Sequence, residues 1–246
     1  MRIRILELLG GAREASGLTV IIDVFRAFTA ECYMKKAGAA HIYPVGAVET
    51  ARRLREEHPD WLLCGERHGV RLPGFEFGNS PTQFDEADIT GRTVIHTTSS
   101  GTQGIISASG ASEILTGSLV NAAAIARYIK KSGAEDVSLV CMGVEGVRPA
   151  PEDELCAKYI RSLLEGTELD RNAELDRVFR SSEGQKFFDP GRQDVYPEPD
   201  YRRSTEFDKF DFILRVKKIS EDVFESEAEA VCPPAPAPRG FFLTES

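Results

Sequence analysis

Apolar runs of strand length alternate with segments of helical period along most of this chain, and few architectures can absorb that rhythm. TVIIDV (19–24) precedes AFTAECYMKKAG (27–38), HIYPV (41–45) precedes VETARRLREEHP (48–59), and WLLCGE follows at 61–66. A loop rich in Gly, Pro and Asn (69–82) interrupts the pattern. It resumes with RTVIHT (92–97), a helix over about 102–109, SEILTG (112–117), LVNAAAIARYIKKSG (119–133) and DVSLVCMG (136–143). Strands that are apolar on both faces, separated by helices of one-sided apolarity, predict a three-layer α/β/α fold with a mixed, mainly parallel sheet. A further helix from about Glu152 carries Leu155, Tyr159 and Leu163 on one face.

Downstream the pattern weakens. Residues 167–204 are polar and read as peripheral structure, with DRNAELDRVFRSSEG an exposed helix, and KFDFILRVKKI (209–219) reads as a late strand. The expected organisation is a single α/β domain over 1–224 and an extended tail over 225–246, where acidic residues and CPPAPAP offer little for a core.

Charge and cysteine usage narrow the function classes. A net charge of −9 argues against a nucleic-acid partner held by general phosphate attraction. The five cysteines are scattered singly, with no CxxC pair to announce a zinc site or disulfide framework. No apolar stretch has the length of a signal peptide or membrane span, so the expectation is a cytoplasmic protein with no membrane partner.

In an open α/β sheet, ligands collect outside the carboxyl ends of strands, and four polar segments fall at or near such positions. IIDVFRAFT places Asp23 and Arg26 at a strand-to-helix passage, where a carboxylate can bind a metal or attack phosphorus and an Arg can fork onto phosphate. WLLCGERHGVR offers Glu66, Arg67 and His68, and GFEFGNSP offers Asn79 and Ser80 in a shaped loop. VIHTTSSGT gathers Thr97, Thr98, Ser99, Ser100, Gly101 and Thr102 where a strand gives way to a helix, a cradle of hydroxyl and N–H donors suited to an anion. Glu145 follows a later strand, whereas Glu152, Asp153 and Glu154 in a first helical turn are favoured there by the dipole alone.

Several phosphatase chemistries are distinguished by spacing. Six residues separate Cys64 from Arg71 and Cys141 from Arg148, one too many to wrap a phosphate loop around a thiolate. Asp23 is followed by Val24 and Phe25, so the Asp-x-Asp of aspartyl phosphatases is missing, and no Walker lysine follows a glycine loop. Two alternatives stay open: a histidine-type phosphatase using His68, with His96 as a second histidine, and a non-catalytic binder of a small dianion.

In order, IDVFRAFT (22–29), GER (65–67), GNSP (78–81), TTSSGT (97–102) and MGVEG with PEDELCA (142–157) resemble the succession of blocks in the 2-phosphosulfolactate phosphatase family. The resemblance covers roughly residues 17–165 closely, and the late KFF and KFDFILRV segments loosely. It implies a Mg²⁺-dependent phosphomonoesterase, a homodimer, that converts a small anionic 2-phospho acid to the 2-hydroxy acid, a step that serves coenzyme M synthesis in methanogens. By position, Asp23, Arg26, Glu66 and Arg67 are its implied catalytic residues, Asn79, Ser80 and the 97–102 stretch its phosphate contacts, and Asp23, Glu66 and Glu145 its metal ligands. Two positions depart from the family pattern: Ser100 stands where Asn is usual, and His68 where Gly is usual.

Overall fold

The computed structural model describes residues 1–231. The chain opens with strand β1 (Arg2–Glu7), helix α1 (Leu8–Glu14), β2 (Gly17–Ile22), α2 (Ala27–Lys36), β3 (His41–Pro44) and α3 (Val48–Glu57). It continues with β4 (Leu62–Arg67), β5 (Val70–Arg71), β6 (Thr93–Thr97), α4 (Gly101–Ser107), β7 (Ala111–Gly117), α5 (Ala122–Ser132) and β8 (Asp136–Cys141). Helices α6 (Pro151–Glu165), α7 (Arg171–Arg180), α8 (Ser182–Gln185) and α9 (Glu198–Ser204) lead to strands β9 (Phe212–Lys218) and β10 (Phe224–Ala230).

The strands form two sheets, one in the order β1-β8-β2-β7-β9-β10 and one in the order β3-β6-β4-β5. Strands β1, β8, β2 and β7 run parallel, as do β3, β6 and β4, whereas β9, β10 and β5 are added antiparallel at the ends. The sheets adjoin where Val45, just beyond β3, bridges to Val223 and His41 pairs with Glu225 at 2.7 Å.

Strand β2 shows why the continuous apolar runs fold as they do. Its Val20 and Ile22 pack with Leu139 and with Ile125, Ile129, Leu155 and Ile160 of α5 and α6. Its Ile21 faces the opposite way, with Val140, towards Ala12, Phe28 and Ile105 of α1, α2 and α4. Alternate side chains of one strand thus enter different layers, the three-layer arrangement expected of the pattern.

Strand β10 takes up most of the first part of the segment expected to be an extended tail. FESEAEA alternates with period 2, so its glutamates share one face, where Glu225, Glu227 and Glu229 pair with His41, Lys217 and Arg215 of neighbouring strands. Opposite charges across a ladder stabilise a strand that hydrophobicity alone does not reveal. The rest of the expected tail, residues 232–246 with Cys232 and CPPAPAP, lies outside the described residues.

Candidate active site

A cleft of about 390 Å³ opens at the carboxyl ends of β2 and β8 from the larger sheet and of β4 and β6 from the smaller one. Its floor includes Asp23, one residue beyond β2. The Asp23 carboxylate accepts from Ala27 N–H at 3.2 Å at the start of α2 and from the Gly101 N–H at the start of α4. A Cβ on Gly101 would stand 2.9 Å from the Phe28 ring and 3.0 Å from Asp23 Oδ2, so only glycine admits this approach. Burial pushes the Asp23 carboxyl up to about 6 against the pull of the Ala27 N–H, and the nearby Glu66 carboxylate adds to the rise.

Glu66 explains the hydroxyl-rich stretch at 97–102. Its Oε1 accepts from Ser99 N–H at 2.8 Å, and its Oε2 accepts from Gly69 N–H at 2.7 Å and from the Ser99 hydroxyl at 3.1 Å. Of the donors expected to cradle a bound anion, those of Ser99 and Gly101 already serve the protein's own carboxylates, Glu66 and Asp23. Thr98 and Thr102 lock each other: Thr98 N–H donates to Thr102 Oγ1 at 3.0 Å, and Thr102 N–H to Thr98 Oγ1 at 3.2 Å. Ser100 donates to the Gly143 carbonyl at 2.8 Å, and Thr97 to the Gly46 carbonyl at 3.2 Å. Of the six residues, Ser99 and Ser100 line the cleft.

The remaining sequence candidates divide similarly. Asn79 lines the cleft, and its buried Oδ1 has no partner. Ser80 instead donates to Asp200 at 2.8 Å. Arg26 lines the cleft, yet its guanidinium is buried against Asp200 at 2.7 Å and also donates to the carbonyls of Val195 (2.8 Å) and Gly69 (3.2 Å). Arg67 does not line it: its guanidinium holds the carbonyls of Glu66 (2.7 Å) and Gly46 (3.2 Å) and the Thr97 hydroxyl. Successive strand residues point to opposite faces, so Glu66 at the cleft sends Arg67 away from it.

Glu145 and His68 face each other across the mouth at 2.6 Å, both in the left-handed backbone region at φ 55°. Glu145 raises the pKa of the His68 ring above its ordinary value. His96 is elsewhere, fully buried with Nδ1 2.8 Å from Glu31 Oε1. The paired histidines of a histidine-type phosphatase are therefore not brought together.

Two acidic residues attributed to the helix dipole are site residues. Asp153 accepts from Val24 N–H at 2.8 Å and from Gly143 N–H at 2.7 Å, and so clamps the ends of β2 and β8 together. Burial, with Asp23 and Glu152 nearby, pushes its carboxyl well up. Glu152 is pushed up to about 8 by burial, against the opposing charge of Lys186, and its buried Oε2 has no partner. The signal was in the helix periodicity: Glu152 precedes Leu155, Cys156 and Tyr159 on the buried face of α6. Glu154 turns outward to Arg177 at 3.0 Å, as a surface residue should.

A 2-phosphosulpholactate phosphatase family model matches residues 4–186. The chain belongs to that family. Among its relatives, a Bacillus subtilis protein named "Probable 2-phosphosulfolactate phosphatase" is 32% identical over 206 residues, 83% of this chain and 89% of the relative. Proteins of the same name from Symbiobacterium thermophilum and Deinococcus radiodurans are 37% and 36% identical over 158 and 148 residues. These alignments cover 63% and 60% of this chain, and 67% and 61% of the relatives.

In this member of the 2-phosphosulpholactate phosphatase family, the segment expected to be peripheral walls the cleft. Glu183, Lys186, Arg192 and Tyr196 line it, and Asp200 anchors Arg26 behind it. Local composition could not reveal this, because the wall is polar and its contacts are distant in sequence. Among the described residues no three His, Cys, Asp or Glu side chains are grouped to hold a metal ion unaided, so Asp23, Glu66 and Glu145 form no ready three-ligand cage. The donor set nevertheless suits Mg²⁺, which takes oxygen ligands and is commonly held by one or two carboxylates with substrate phosphate completing its shell. Buried carboxylates that raise one another's pKa, one with an unpartnered oxygen, are what a divalent cation would relieve.

Proposed function

We propose that the cleft hydrolyses a small 2-phospho acid, 2-phosphosulfolactate or a near relative, to the 2-hydroxy acid and phosphate, with Mg²⁺ as cofactor. The observation that carries this reading is the buried Asp23 carboxylate at the meeting point of two helix starts, inside a cleft whose sequence blocks are those of a 2-phosphosulpholactate phosphatase. Asp23 and Glu152 would hold the metal, whose charge would neutralise phosphate oxygens and make phosphorus more susceptible to attack. Asp23 acts at the reacting phosphorus, either as the nucleophile or as the carboxylate that orients a water. Glu66, also at the cleft, would act by positioning. It fixes the Ser99 and Gly69 amides so that the floor keeps its shape around Asp23. Asp153 does the same for the loops after β2 and β8.

A wall containing Arg148, Lys186 and Arg192 supports an anionic substrate in a chain that is negative overall. Cytoplasmic location and a homodimer belong to the same proposal, and light scattering at the monomer mass would remove the latter. The direct test is phosphate release from a panel of 2-phosphosulfolactate, 2-phospholactate and phosphoglycolate, with Mg²⁺ and with EDTA. Release with Mg²⁺ that EDTA abolishes is expected. No release from any member would refute the phosphatase reading, and EDTA-insensitive release would refute the metal.

A further inference from the structure

We propose that Arg192 receives an anionic group of the substrate other than the phosphate, and thereby selects which phospho acid is hydrolysed; this rests on the phosphatase reading above. Arg26 is paired with Asp200, Arg148 and Lys186 with Glu183, and His68 with Glu145, at distances of 2.6 to 2.7 Å. Arg192 alone of the cleft-lining cations has neither an ion pair nor a side-chain hydrogen bond among the described residues. Its guanidinium rests 4.6 Å from the centre of the Tyr196 ring, which Lys186 and Arg26 also approach at 4.7 and 4.9 Å. Arg26 and Lys186 at this ring already have carboxylate partners, so Arg192 is the charge there left to take an anion.

The position is built rather than loose. Arg192 ends a short turn, Pro190–Arg192, in which the Asp189 side chain accepts from Gly191 N–H at 2.9 Å. The Gln193 amide ties the turn down through the carbonyls of Phe187 (2.8 Å) and Asp189 (2.9 Å). The turn's backbone is thus fixed, and the Arg192 guanidinium it carries, resting on the Tyr196 ring, offers a planar fork matched to carboxylate or sulfonate oxygens. 2-Phosphosulfolactate carries both groups, and they enter a cleft whose other cations already have carboxylate partners, Arg148 and Lys186 sharing that of Glu183. Arg192 lies just beyond the segment matched by the family model, which ends at residue 186.

The test compares R192Q with the parent on 2-phosphosulfolactate, 2-phospholactate and glycerol 2-phosphate, the last having no second anion. The ratio of kcat/KM for 2-phosphosulfolactate to that for glycerol 2-phosphate should fall on the order of ten- to a hundredfold, mostly through KM, as expected for one charge-assisted contact. A loss shared by 2-phospholactate assigns the contact to the carboxylate, and a loss confined to 2-phosphosulfolactate assigns it to the sulfonate. R192K should recover only part of the ratio, since it keeps the charge and loses the fork. A ratio unchanged within about twofold in R192Q overturns the proposal, being well below the effect of such a contact. If the parent hydrolyses none of the three, the phosphatase reading fails by itself, and calorimetry with sulfolactate decides this one. Weaker binding to R192Q supports it, and equal binding or none to either protein refutes it.

Discussion

Asp23→Asn should inactivate the enzyme and yet make the metal-free protein more stable at neutral pH. Burial raises the Asp23 carboxyl from its ordinary 3.8 to about 6. Below pH 3.8 the group is protonated whether the chain is folded or not, so folding bears no cost from it. Above pH 6 it is ionised in both states, and the folded state bears the full penalty. The gap of about 2 pH units corresponds to ~3 kcal/mol of stability, present at low pH and lost as pH rises from 3.8 through 6. Asn removes that penalty. Its oxygen can still accept from Ala27 N–H, but its amide meets the Gly101 N–H, a pH-independent cost of ~1 kcal/mol. The variant should therefore exceed the parent by ~2 kcal/mol at pH 8. Thermal melts in EDTA from pH 4 to pH 8 should show the difference in Tm between variant and parent growing by roughly 6–12 °C across that range. Mg²⁺ should raise the Tm of the parent and do much less for the variant, whereas turnover should fall on the order of a thousandfold or more. A Tm difference that stays flat with pH would refute the reasoning, because Asp23 would then carry no burial penalty.

Other perturbations test the frame around it. Gly101→Ala places a methyl group 2.9 Å from the Phe28 ring and 3.0 Å from Asp23 Oδ2, and should cost ~1–3 kcal/mol in urea melts together with most turnover; an active, equally stable variant would contradict the close approach. Asp200→Ala leaves the buried Arg26 guanidinium uncompensated and should destabilise by ~3–5 kcal/mol, read by denaturant unfolding. His68→Ala removes only a solvent-exposed ion pair at the mouth, so kcat should stay within about fivefold of the parent. Collapse of activity in that variant would revive the histidine mechanism.

Much of the fold was legible because burial on both faces forces continuous apolar runs, which announce β2 and β8, while burial of one face gives α5 its one-sided apolarity. Strand β10 was hidden because its stability comes from cross-strand ion pairs. Asp23, Glu66 and the 97–102 stretch were rightly grouped at strand ends, since topology alone carries the ends of parallel strands to one rim. Their roles were not legible. Whether a serine N–H faces a ligand or a neighbouring carboxylate depends on which residue from a distant strand fills the space first, and Glu66 fills it for Ser99.

The sequence by itself therefore determined the layered α/β/α architecture, the family and the set of polar strand ends, because hydrophobic period and ordered motifs are local properties of the chain. Only the tertiary structure decided that Arg67 turns away, that Arg26 is held by Asp200, that Asp153 and Glu152 join Asp23, and that the polar segment after α7 becomes the cleft wall. Each of those outcomes rests on a pairing or a burial between residues far apart in the chain, and the energy of such a contact is set by geometry that no local pattern encodes.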